Sequence, residues 1–234
     1  MPVFFAATLD NKLARVHRIF QVGLNDLGEV RMTVGIEDIL GLWFGNPPTD
    51  ENEVAHRMSR WFGGDREMDA ELGRRFGAVM TAAGTSQLDD WGKSARGRLA
   101  LILLLDQVPR NTHRGQPTAY AQDTLALSWT LDGLAHGMDL DLEPLERMFF
   151  YMPMQHSESL DIQERSVEVF AKLACSDAPN FLRKCLLDTA KFARQHQDII
   201  VRFGRFPHRN SVLGRESTAD ERDYLKGGAP TFGQ

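Results

Sequence analysis

Residues 91–111 read "WGKSARGRLALILLLDQVPRN", and the fold class turns on that stretch. Leu99 to Leu105 is the longest unbroken apolar run in the chain, at seven residues. A membrane span needs roughly 20, so the run predicts a buried helix and no membrane crossing. Pro109 has no N–H to continue a helical ladder, which predicts a helix over Trp91–Gln107 that stops before it. The residues at that break are polar: Asp106, Gln107, Arg110 and Asn111.

The same pattern extends on both sides. Helical periodicity predicts further helices over about Ile36–Phe44 and Met68–Ala83, the second with Leu72, Phe76, Val79 and Met80 on one stripe. "NPPTDENE" (46–53) reads as a loop. Pro117 and Pro144 suit first helical turns and predict helices to about His136 and Met152. Asp161–Leu173 and Phe181–Phe203 follow, and Thr218 with Glu221 forms the capping box of a last short helix. No sustained alternation and no Asn-Gly hairpin signals a strand. No 34-residue period repeats, although "LWFG" (42–45) and "RWFG" (60–63) echo each other. The expectation is an all-α fold of antiparallel helical hairpins.

The full chain is 42% hydrophobic and 25% charged, and no linker-like boundary divides residues 32–234, which read as one domain. Residues 1–31 lack clear periodicity. They read as an extension ahead of an alternative start at Met32, or as an ordinary N-terminal helix around Leu9–Phe20. The opening "MPVFFAATLDNKLARVHR" makes a poor export signal, because its positive charges follow a short apolar stretch. Cys175 and Cys185 form neither a metal-type pair nor a disulfide framework, which fits reduced thiols in a cytoplasmic protein.

Charge is unevenly placed. Arg183–Arg209 carries seven Lys or Arg against two Asp, whereas the rest of the chain carries twenty basic and thirty acidic residues. A local cationic segment on an acidic body argues against nucleic acid, which calls for a broad basic surface. It suits a small anionic ligand or an internal salt-bridge network, and the partner expected is a small anionic molecule or an acidic protein segment.

Three segments gather candidate chemistry. On the helix before Gly204, Phe192, His196, Ile199, Ile200 and Phe203 share a face. His196 there reads first as a core residue. Arg205, His208, Arg209 and Asn210 then project from a turn held by Pro207. The second segment is the 106–111 break, where Asp106 at a helix C-terminus needs a cation. Arg110 is local, and Arg205 or Arg209 are candidates from afar. In the third, "YMPMQHSES" (151–159), Pro153 is expected to break a helix ahead of His156, Ser157 and Glu158. Ser157 or Ser159 fits an N-cap.

"LLLDQVPRN", "MPMQHSES" and "RFGRFPHRN" with "LGRES" (213–217) resemble the bacterial domain of unknown function 924 family. The resemblance covers about Ile36–Leu225 and leaves the segment before Met32 outside it. It implies an all-helical fold like that of tetratricopeptide-repeat proteins and implies no established activity. Its signature positions fall here on Asp106, Gln107, Arg110, Asn111, His156, Ser157, Glu158, His196, Arg205, Pro207, His208, Arg209 and Asn210.

Three readings stay open. In the first, Gln107, Arg110, Asn111, His196, Arg205, Arg209 and Asn210 bind an anionic ligand or acidic segment, with Phe203 and Phe206 as pocket wall. In the second, a hydrolase for a phosphate or carboxylate substrate uses His156 or His208 as acid–base group. Asp106 or Glu158 then orients that histidine. No G-x-S-x-G, phosphate loop or dinucleotide fingerprint is present. No cofactor is implied, and His156, Glu158, His196 and His208 make a poor metal set beside arginines. In the third, all three clusters form one buried polar network.

Overall fold

A computed structural model describes residues 34–229 and Phe232. The readings of residues 1–31 and of Met32 as a start lie outside the described residues.

Every described element is helical. Helix α1 spans Ile36–Phe44, α2 Glu51–Phe62 and α3 Arg66–Gly84. After a 3-10 turn, α4 covers Ala95–Ile102, a π turn covers Leu103–Gln107 and α5 covers Val108–Thr112. Next come α6 (Asp123–Ala135), α7 (Pro144–Gln155), α8 (Leu160–Ala174), α9 (Asn180–Phe203) and α10 (Ala219–Lys226). Helix α8 packs along α9 and α7, while α3 packs against α5 and the π turn. Short links between such neighbours give hairpins.

Helix α2 escapes the sequence reading. "ENEVAHRMSRWF" buries only Val54 and Trp61, too sparse a pattern to register as a stripe. Its start is set instead by Asp50, whose carboxylate accepts from the Glu53 N–H at 2.9 Å. The helix brings the two echoing motifs together. Trp61 stacks on Trp43 with centroids 6.4 Å apart, and Phe149 of α7 sets its ring edge-on to both. Trp61 Nε1 donates to the Trp43 carbonyl at 3.0 Å.

Neither Pro109 nor Pro153 ends a helix, contrary to expectation. Before Pro109 the ladder switches to i→i−5, with the Val108 N–H donating to the Leu103 carbonyl. The wider turn drops the i−4 register that the pyrrolidine ring would obstruct. The helical path therefore runs on to Thr112 with Asp106 and Gln107 inside it. Pro153 lies within α7, two residues from its end. There Gln163 Nε2 donates to the Gln155 and Ser157 carbonyls, both at 2.7 Å, and so supplies donors at the frayed end. Pro117 starts only a 3-10 turn, and α6 begins later, at Asp123. Gly204 does end α9, in the left-handed region at φ +67°, where a Cβ would be strained.

Candidate functional site

The π turn carries Asp106 to a position with no exposed surface. Its Oδ1 accepts from His156 Nδ1 at 2.6 Å and pairs with Arg110 Nη1 at 3.0 Å, and Gln107 Nε2 donates to Oδ2 at 2.6 Å. Burial alone would raise the Asp106 carboxyl, but the facing Arg110 and His156 hold it well below the usual carboxylate range. Burial first and Arg110 second lower His156, against the pull of Asp106. The imidazole is therefore neutral at neutral pH, with its proton on Nδ1 toward the carboxylate. Among the described residues Nε2 has no hydrogen-bond partner.

Arg110 continues the chain of charges. Its Nη1 and Nη2 donate to the two oxygens of Asp123 at 2.8 and 2.9 Å, a bidentate pair. Arg209 meets Asp123 from the other side, Nη1 to Oδ2 at 3.3 Å, and donates to the His156 carbonyl at 3.1 Å. Arg209 packs over the rings of Phe206 and Tyr120, 4.5 and 4.8 Å from their centroids, and Arg110 lies 5.6 Å from that of Tyr120. Burial, then repulsion from Arg110, pushes Arg209 down to about 10, so it stays charged at neutral pH. It is 6% exposed, yet its Nε is buried without a partner among the described residues. A cleft of about 280 Å3 opens beside it, with Tyr120, Asp123, Thr124, His156 and Arg209 on its polar wall.

The other candidates do not join this chain. Glu158 does not orient His156. Both its oxygens accept from Arg215, at 2.7 and 3.0 Å, and Oε1 also takes the Phe206 N–H at 2.8 Å. Arg205 does not reach Asp106. It is tied to Glu221 at 2.7 and 2.8 Å, and Asn210 donates to the same carboxylate at 3.2 Å. These two are held at α10 because Glu221, already the capping-box acid of that helix, offers the nearest carboxylate. Asn111 donates to Asp69 at 2.9 Å.

His196 is packed rather than open. Its Nδ1 bonds its own helix at the Phe192 carbonyl, 2.7 Å away, and its ring stacks on Phe232 at 3.7 Å. Burial pushes it down to about 3. Phe192 is exposed although it shares that stripe, and Phe206, not Phe203, lies against Arg209. His208 sits beside Phe206 and Phe232, lowered to about 4 by burial and then by Arg209. Among the described residues no hydrogen bond joins it to Asp106 or Glu158. Ser159 is the N-cap residue of α8, but its side chain makes no capping bond. Among the described residues no three His, Cys, Asp or Glu side chains cluster as a metal site.

Sequence reasoning missed Asp123, Tyr120 and Arg215. One signal pointed at Asp123: two buried arginines need two carboxylates, and Asp106 supplies only one. Nothing local separates Asp123 from other acidic residues in first helical turns.

The fold and the cleft define a helical protein in which Asp106, His156, Arg110, Asp123 and Arg209 form one buried ionic chain beside a cleft. This chain belongs to the bacterial family of unknown function DUF924, whose model matches residues 39–229. A solved structure of a protein of unknown function from Agrobacterium tumefaciens is similar, at 36% identity and a TM-score of 0.69. The match covers 82% of this chain and 97% of that one. No curated protein matches. Among the described residues no helix is long and apolar enough to cross a membrane.

Proposed function

We propose that the cleft beside Arg209 binds a small molecule through an anionic group. One observation carries this reading: Arg209, a buried guanidinium whose Nε has no partner among the described residues, lines a cleft. Buried donors without partners are costly unless a ligand fills them. The size of the cleft favours a small molecule over an acidic protein segment.

A melting-temperature screen of the purified protein against carboxylates and phosphates tests this, since a ligand that prefers the native state raises the transition. The expected result is a rise with at least one anion class that disappears in a folded Arg209→Lys variant. Lysine keeps the charge but loses the planar fork. A rise unchanged by that substitution would place the anion elsewhere.

A hydrolytic reading rests on a different observation, the 2.6 Å Asp106–His156 contact. A carboxylate that fixes the Nδ1 proton leaves Nε2 as a base toward water, and Arg209 is positioned to hold developing negative charge. Its test is turnover of p-nitrophenyl esters and p-nitrophenyl phosphate, with loss expected in His156→Gln. Equal rates in both proteins would remove the enzyme reading and leave the binding reading standing.

A further inference from the structure

We propose that the anion at this site is a single carboxylate on a small apolar body, held by the Nε–Nη2 edge of Arg209 and the hydroxyl of Tyr120. The proposal rests on the anion-binding reading above and adds the ligand class and one further binding residue.

The free hydrogen-bonding groups come first. Of the three guanidinium nitrogens of Arg209, only Nη1 has partners among the described residues, Asp123 and the His156 carbonyl. The Nε–Nη2 edge carries two parallel N–H groups at the spacing that matches the two oxygens of a carboxylate; Nε itself is buried, so a ligand engages both only when the guanidinium turns toward the cleft. The Tyr120 hydroxyl likewise has no hydrogen bond among the described residues, although the residue is only 9% exposed and lines the cleft. Burial raises its pKa despite the two arginines, so it is a neutral phenol and a donor at neutral pH. The ring's place beside both guanidinium groups fixes where that donor sits.

The charge balance selects between anions. Asp106, Asp123 and Glu158 face Arg110, Arg209 and Arg215, three against three. His156 and His208 add no charge near pH 7. A carboxylate brings one negative charge to this balanced set. A phosphate monoester brings about 1.5 to 2 at pH 7, and Asp123 and Glu158 both line the cleft it would enter. Either anion is surplus to this balanced set, and the phosphate monoester places the larger surplus in a partly buried, low-dielectric site beside two carboxylates. Beside Ser157 the rest of the wall is apolar, from Pro117, Leu127, Pro153 and Leu213, which suits a hydrocarbon body.

Calorimetric titration of the full chain at pH 7 with benzoate, hexanoate, phenyl phosphate and inorganic phosphate tests this. Benzoate and phenyl phosphate share a ring and differ in the charged group. Benzoate or hexanoate should bind at least about tenfold tighter than phenyl phosphate. Tyr120→Phe should weaken that binding about fivefold, the worth of one ordinary hydrogen bond, with the melting temperature of the free protein unchanged. Preference for phenyl phosphate or inorganic phosphate, abolished in Arg209→Lys, would overturn the carboxylate assignment and keep the anion site. Carboxylate binding indifferent to Tyr120→Phe would remove Tyr120 from the site. No binding of any of the four, or binding indifferent to Arg209→Lys, would overturn both the proposal and the reading beneath it.

Discussion

Arg205 and Arg209 stand four residues apart in one segment, and their surroundings differ in kind. Arg205 lies at the periphery. It donates to both oxygens of Glu221, which also receives Asn210 and the Thr218 N–H. Arg209 is buried, holds one long contact to Asp123, and leaves an edge unfilled beside a cleft. The first cluster closes on itself as a helix cap and pin. The second is closed on the Asp106–Arg110 side and leaves the Arg209 Nε without a partner among the described residues. Residue type therefore says little about role; whether the donors and acceptors are all used says more.

The largest effect should come from breaking the closed end of the buried chain. Asp106→Ala strips Arg110 of one buried partner and His156 of its acceptor, and should lower stability by about 3–5 kcal/mol. Urea unfolding measures it. A loss under about 1 kcal/mol would show that the chain is dispensable for folding, and would contradict its description as closed there.

Acid should separate the two clusters next. His196 and His208 titrate in the folded protein near 3 and 4, against about 6.5 when unfolded. The unfolded chain takes up their protons first, so their contribution is complete above pH 6.5 and is lost as pH falls toward those values. Each contributes a slope of at most about 1.4 kcal/mol per pH unit. Glu221, held at about 2 by Arg205, contributes stability above about 4.5 that disappears as pH falls toward 2. Melting curves from pH 7 to 3 should fall in two stages. His196→Gln should flatten the upper stage and Glu221→Gln the lower. A single fall below pH 4.5 would contradict the histidine assignment.

A smaller effect distinguishes the arginines directly. Arg205→Ala should lower the melting temperature and leave anion-induced stabilisation intact, whereas Arg209→Lys should abolish that stabilisation. Reversed behaviour would exchange their roles. The smallest change is expected in the free Tyr120→Phe protein, whose melting temperature should match the parent because only an unpartnered hydroxyl is removed.

The sequence by itself determined that this chain is helical. Apolar residues recur at helical spacing, and the buried stripes of α3, α8 and α9 follow that spacing closely. It also marked some of the polar residues that the buried chain uses, though not Asp123 or Tyr120, and Gly204 and the Thr218–Glu221 box marked two helix ends correctly. Helix α2 was illegible because a single cap and two buried side chains define it. The proline breaks were misread because the helical path passes each proline, through a π turn ahead of Pro109 and within the last turn of α7 at Pro153, and neither accommodation lies in the local pattern. Pairing was decided only by the tertiary structure. Asp106 meets His156 across fifty residues and Arg209 meets Asp123 across eighty-six. A charged side chain's partner is set by which helix ends pack together, and periodicity is blind to that. The sequence supplied the ions, and the packing decided which of them were left with an open edge.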